Sequence, residues 1–358
     1  MNSAGNIYFI SDADFEKCLD SIARKSKVYI PYAVTNREGG THYPYELYSS
    51  DKKFTYFGYR PSHPLKTFLF ARRMKVSDYF SRAGELETPE MQVEPVTVVG
   101  AAACDIESLK SLDVIFLQDS FTDIFYRERR DHTFFITIDC TKPRETCLCT
   151  LAGGTPYSTA GFDLNLSRVE DGYIIEAGSV KGEEVIAQHN SLFNRAQDEQ
   201  LRARDKKRTE TIHKVEELNK EYTLSRSRRE LLEIQRESDD WFEHVRTCVE
   251  CGACLFACPT CHCFLLYDQE ETPGKYQRIK EWDACAYAGF TRMAGGSSPR
   301  LGLRERFRHR YLHKFEYYPK NFGFEACSGC GRCIEGCMGK IDMRKVFKAL
   351  DTEKVGAQ

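Results

Sequence analysis

Two cysteine runs of identical spacing constrain this chain more than any other feature. The first, CVECGACLFACP, holds Cys248, Cys251, Cys254 and Cys258, with Pro259 following. The second, CSGCGRC and a later cysteine, places Cys327, Cys330, Cys333 and Cys337 at the same intervals. C-x2-C-x2-C-x3-C is the bacterial ferredoxin spacing: three close thiolates wrap one cubane cluster, and the fourth reaches the other cluster of a pair. That crossing rule assigns Cys248, Cys251, Cys254 and Cys337 to one [4Fe-4S] cluster and Cys327, Cys330, Cys333 and Cys258 to the other. Zinc is the alternative for any C-x2-C pair. Zinc sites, however, spread two knuckles, or one knuckle and histidines, over a dozen or more residues. Four cysteines in one short run, twice, disfavour it. Met338 stands where the second run would carry proline, which is not a ligand. Gly252 and Gly331 fit loops whose backbone amides approach cluster sulfides.

The chain has 16 cysteines. Its N-terminus, MNSAGNIYFISDADFEKCLD, lacks the basic and apolar regions of a secretory signal. No apolar run approaches the roughly twenty residues that span a bilayer. Thiols in a reducing compartment more often hold metals than form disulfides, so a cytoplasmic location is expected. Cys104, Cys140, Cys147 and Cys149 form a third candidate metal set. Cys104 falls between a strand end and a helix start, Cys140 ends another strand, and the CLC loop adds two thiols. Buried thiols, or a disulfide, are the alternative. A weaker fourth set is Cys261, Cys263 and Cys285, read either as an extra metal group or as buried thiols that tune the first cluster. Cys18 reads as an ordinary buried thiol.

The expected fold is an α/β N-terminal domain followed by a 2[4Fe-4S] ferredoxin-like α-helical domain with a long insertion between its two cluster motifs. The domains are read as 1–188 (α/β), 189–246 (a charged helical linker), 247–345 (dicluster) and 346–358 (C-terminal tail), with DMRKVFKALDTEKVGAQ read as a short helix and a loose tail. KVYIPYAV, FTYFGY, EPVTVVGAA and HTFFITIDC read as strands, and DADFEKCLDSIARK as a helix. FDLNLSRVEDGYIIEAG reads as a hairpin turning at Asp171-Gly172. Residues 190–246 are rich in charge and helix formers. Ile212, Val215, Leu218 and Tyr222 fall at helical spacing, and Ser227 with Glu230 fits a capping box for a second helix.

The chain carries no G-x-G-x-x-G, P-loop lysine or H-E-x-x-H motif, so no flavin or nucleotide is expected on it. The formal net charge is -2, and neither nucleic acid nor membrane is an expected partner. Basic residues do crowd the insertion: Arg300, Arg304, Arg306, Arg308, Arg310, His313 and Lys314. An RNA surface is one reading of them. Neutralising negatively charged clusters, or docking a subunit, is the preferred one.

Taken in order, VVGAAACDIESLKSLD, YRERR, ITIDC, CLC, GFDL, CVECGACLFACPTCHC, WDAC, MAGG, RFRHRYLHK and CSGCGRC resemble one family from about residue 90 to 340. It comprises the beta subunit of cytoplasmic NiFe hydrogenase (sulfhydrogenase) and the corresponding iron–sulfur subunit of anaerobic sulfite reductase. The resemblance implies an electron-transfer subunit rather than a catalytic one. It further implies a flavoprotein neighbour with FAD and a [2Fe-2S] cluster that uses NAD(P)H. On the far side it implies a catalytic subunit, either NiFe hydrogenase or sirohaem sulfite reductase, with heterodisulfide reductase-like complexes as relatives. It also favours the third set as a [4Fe-4S] site. The rival expectation is a self-contained reductase whose cluster offers an open iron to substrate.

Overall fold

The computed structural model describes residues 7–37, 39–52, 54–80, 86–87 and 91–352. The first residues of the segment read for a targeting signal, and the tail beyond residue 352, lie outside the described residues. The N-terminal part builds a mixed sheet from β1 (Ile7–Ser11), β2 (Lys27–Pro31), β3 (Tyr45–Leu47), β6 (Val96–Ala102), β7 (Thr133–Ile138), β8 (Leu164–Val169), β9 (Gly172–Ala177) and β10 (Asn194–Arg195). Its order is β10-β1-β9-β8-β7-β6-β2-β3. Strands β2, β6, β7 and β8 are mutually parallel. Parallel strands are buried on both faces, and β6 and β7 follow the rule. Val99, Ile136 and Ile138 pack with α1 (Asp12–Ala23) residues Phe15, Cys18 and Leu19 on one side. Val98, Ala101 and Phe135 pack with Leu109, Leu112 and Phe116 of α2 (Ala103–Phe116) on the other. Cys18 is therefore a core thiol, and burial pushes it up to about 12. Strands β8 and β9 form the expected hairpin, pairing Val169 with Gly172.

FTYFGY, expected as a strand, forms no regular element at residues 54–59. Phe54 and Phe57 are both buried, and Gly58 adopts φ 79°. The Gly58 carbonyl accepts from the amides of Thr141 and Lys142, at 2.7 and 2.8 Å. The segment crosses the carboxyl edge of the sheet instead of pairing along it.

Helix α3 (Asp198–Asn219) buries Arg204, Thr211, Val215 and Asn219. This stripe is more polar than the spacing of apolar residues suggested, because its partners are polar. Arg208 Nε donates to Asp139 at 2.7 Å, Arg208 also pairs with Glu176, and Arg204 reaches Glu176 at 3.1 Å. Asn219 Nδ2 donates to the Cys147 carbonyl at 2.8 Å. The capping box at Ser227 and Glu230 is present and starts the helix Arg228–Ile234.

The insertion holds a hairpin that was not read from the sequence, β11 (Phe264–Thr272) and β12 (Lys275–Trp282). Strand β12 pairs with β4 (Arg73–Phe80), and β4 with β5 (Leu86–Glu87), giving a second sheet shared by both halves of the chain. The C-terminal core gathers Trp241, Phe307 and Tyr311 of α4 (Leu303–Leu312), Phe315, and Val346, Phe347 and Leu350 of α5 (Met343–Thr352). Met343, Val346, Phe347 and Leu350 repeat at helical spacing, which is why α5 presents one apolar face.

Candidate iron–sulfur sites

Each cysteine run turns on a left-handed glycine. Gly252 (φ 71°) and Gly331 (φ 73°) precede the single turns Ala253–Phe256 and Arg332–Glu335. The second run also backs onto the CLC loop. A Cβ on Gly331 would collide with the Thr146 carbonyl, and one on Gly329 with the backbone of Leu148 and Cys149. Leu148 N donates to the Gly329 carbonyl at 2.9 Å, closing that contact.

Cys248, Cys251, Cys254 and Cys337 line one cavity, joined by Cys333 and Arg310. Cys251 is exposed, as are Val249 in the same run (64%) and Met338, next to Cys337 (73%). Ile341 N stands 3.3 Å from Cys337 Sγ. Of the second set, Cys258 and Cys330 are buried. Cys258 lies within electrostatic reach of Cys327 and Cys333. The third set converges as well: Cys104, Cys140, Cys147 and Cys149 line a second cavity together with Cys330 and Arg60. Cys104 sits in the first turn of α2 and Cys140 just past β7, so two neighbouring parallel strands deliver both thiols to one sheet edge. Arg144 N approaches Cys147 Sγ at 3.4 Å. In the fourth set, Cys285 packs with Cys254, Cys261 and Cys263 against Leu255 and Ala284. Cys261 is adjacent to Cys258, and Cys263 to Cys285.

Burial pushes the Cys149 and Cys333 thiols up to about 12, and Cys104 and Cys140 well above the ordinary thiol range. Such thiols ionise only when a cation takes the proton's place, which is what a metal ligand does. Cys258 is the opposite case: the Cys261 thiol, and then the Lys314 ammonium, hold it well below the ordinary range. Among the described residues, no three His, Cys, Asp or Glu side chains close around a point as one metal ion requires. The thiols ring cavities, and the amides of Arg144 and Ile341 approach the sulfurs of Cys147 and Cys337. That donor set fits multi-iron clusters.

Of the basic residues in the insertion, Arg304, Arg306 and Arg308 pair with Asp239, Glu250 and Glu237 at 3.0, 2.7 and 2.9 Å. Arg310 and Lys314 turn toward the cysteines. Three cations went unread in the sequence. Arg332 makes a buried bidentate pair with Asp105, at 2.7 and 2.8 Å. Arg60 donates to the Cys330 carbonyl and pairs with Glu335. Lys66, 2% exposed, donates to the carbonyls of Leu255 (3.3 Å) and Cys261 (3.0 Å) and lies over the Trp282 ring. No local pattern marks these three, because their partners lie far away in sequence.

An α/β domain joined to paired ferredoxin runs defines a class, the dicluster iron–sulfur proteins, and residues 247–341 match the family model of the 4Fe-4S dicluster domain. Sulfhydrogenase 2 subunit beta of Pyrococcus furiosus is 34% identical over 251 residues, covering 69% of this chain and 72% of that protein. The chain belongs to the sulfhydrogenase subunit beta family. Among the described residues, no helix is long and apolar enough to cross a membrane.

Proposed function

We propose that this chain is the electron-relay subunit of a multi-subunit oxidoreductase, with [4Fe-4S] clusters in its first three thiol sets. One observation carries the reading: the three sites share walls. Cys333 of the second run lines the cavity of the first set, and Cys330 lines that of the third. [4Fe-4S] clusters supply one-electron exchange at potentials set by charge, hydrogen bonds and solvent exposure. The cysteines keep that chemistry in a dry, rigid frame. Exposed Cys251, beside exposed Val249, opens one end of the line to a partner.

The family points to a NiFe hydrogenase as the catalytic partner, ahead of a sirohaem sulfite reductase or a heterodisulfide reductase-like complex. A flavoprotein with FAD and a [2Fe-2S] cluster supplies or receives the electrons from NAD(P)H, in the cytoplasm. The ligand sets are Cys248, Cys251, Cys254 and Cys337; Cys327, Cys330, Cys333 and Cys258; and Cys104, Cys140, Cys147 and Cys149. Cys261, Cys263 and Cys285 stay outside them.

A self-contained reductase is the second reading. It is favoured by a cavity of about 290 Å³ beside Cys104, Cys149 and Cys327, into which the unpartnered hydroxyls of Ser158 and Ser328 are buried. Iron, sulfide and flavin analysis of the anaerobically purified chain, with EPR after reduction, tests the choice. About twelve irons and no flavin are expected, and Cys251→Ala should lose about four of them. Stoichiometric flavin on the chain, or full iron in Cys251→Ala, overturns the relay reading or its first ligand set.

A further inference from the structure

The two cysteine runs have identical spacing, but their closing thiols have different surroundings. Cys337 Sγ receives a backbone amide, that of Ile341, at 3.3 Å. Its counterpart Cys258 Sγ faces the Lys314 ammonium at 3.4 Å and Thr260 Oγ1 at 3.2 Å. Lys314 is 3% exposed. Its other two donors go to Thr260 Oγ1 at 2.8 Å and the Ala326 carbonyl at 3.0 Å. A thiol, a hydroxyl and a carbonyl thus occupy all three N–H groups, and none goes to a carboxylate. A buried ammonium is costly without a countercharge, and a metal-bound thiolate at Cys258 supplies one.

The backbone is arranged for this contact. Lys314 lies in a π-helical stretch, His313–Tyr317, directly after α4, and the amide of Tyr318 returns to the His313 carbonyl. Single π-turns inside helices concentrate at functional sites because the extra residue redirects the side chains that follow. Here the turn aims Lys314 at Cys258 and at Ala326, the residue before Cys327.

We propose that Lys314 is a positioning residue that raises the reduction potential of the second centre through Cys258, and so makes two runs of equal spacing electronically unequal. The inference rests on the relay reading above. Reduction adds negative charge, and a fixed cation in a low-dielectric interior stabilises the reduced form. At Cys337 the first centre has the Ile341 amide in place of an ammonium; Arg310 lines its cavity, and it opens to solvent at Cys251.

The test is an EPR-monitored potentiometric titration of the anaerobically purified full chain, beside Lys314→Met and Lys314→Gln. Iron and sulfide are counted in every sample. With iron intact, one signal should move to more negative potential in both variants while the other midpoints stay. Unchanged midpoints with iron intact overturn the proposal. If Lys314→Met loses iron, Lys314→Gln decides by the same criterion. Loss of about four irons from both variants makes Lys314 a structural clamp and also overturns it. Wild-type protein without iron sinks the relay reading itself, independently of either variant.

Discussion

Asp105→Ala is the most informative single change at the junction of the two halves. Asp105 lies beside Cys104 in α2, and its carboxylate takes a bidentate bond from Arg332, which lies between Cys330 and Cys333. The two side chains are 0% and 2% exposed. After substitution the guanidinium keeps only carbonyl partners: Pro61 at 2.8 Å, Ser62 at 3.1 Å and His63 at 3.3 Å. Those bonds satisfy its N–H groups but supply no carboxylate countercharge. Breaking a buried pair from one side costs about 3–5 kcal/mol. Neutralising both sides with apolar residues costs far less, so Asp105→Leu/Arg332→Met should be more stable than Asp105→Ala. Urea unfolding of the three proteins at fixed iron content, followed by far-ultraviolet circular dichroism, measures both differences. A loss below about 1 kcal/mol in Asp105→Ala would mean that the carbonyls alone carry the guanidinium. That outcome, or a double variant weaker than the single, refutes the charge-compensation account.

Gly331→Ala should lose iron and stability, since φ 73° is strained for alanine and the Thr146 carbonyl blocks the methyl group. Gly323→Ala, at φ 78° with open space around it, should cost only about 1–2 kcal/mol and keep full iron. Equal behaviour of the two variants in melting and iron assays would show that the contact with the CLC loop is irrelevant. Burial holds His309 at about 4 and His313 at about 3, against roughly 6.5 in the unfolded chain. Between those values the unfolded chain binds protons that the native one refuses, so stability falls as pH drops below about 6.5. His313→Gln should flatten the fall in urea midpoint between pH 7.5 and 5, and an unchanged slope would remove His313 as a cause.

The parts of this fold legible in the sequence are those in which spacing is itself geometry. A C-x2-C-x2-C-x3-C run leaves its loop little freedom, and Cys248, Cys251, Cys254 and Cys337 do line one cavity. The hairpin at Asp171-Gly172 and the box at Ser227 and Glu230 are local in the same sense. FTYFGY failed because a run of aromatics satisfies a buried crossing segment as well as a strand, and only the long-range bonds to Thr141 and Lys142 separate the two. The β11–β12 hairpin carried a weak signal, Pro273-Gly274 between two extended runs. Its exposed strand, with Phe264, Leu265 and Leu266 at 37%, 51% and 50%, lacks the alternation that marks a half-buried sheet. Lys66, Arg60 and Arg332 were illegible for a different reason. A buried cation is chosen by what it meets in space, and their partners lie in the opposite half of the chain.

That cross-chain traffic explains why the insertion between the runs is long. A minimal ferredoxin needs only a short connection between its two motifs. Here the second run must also back onto the CLC loop, and the first must lie under Lys66 and Trp282. Strand β12 pairs along β4 from Lys275 to Glu281 and so anchors the insertion to the N-terminal half. Trp282 Nε1 then donates to the Phe70 carbonyl at 3.1 Å, just before WDAC returns the chain to Cys285. From there α4 and its π-turn bring Arg310 and Lys314 to the cysteines, and the chain re-enters the second run at Cys327. The insertion is thus the element that delivers cations to the thiols and joins the two halves. Its basic residues divide accordingly: Arg304, Arg306 and Arg308 lock the fold through carboxylates, while Arg310 and Lys314 are left to face sulfur.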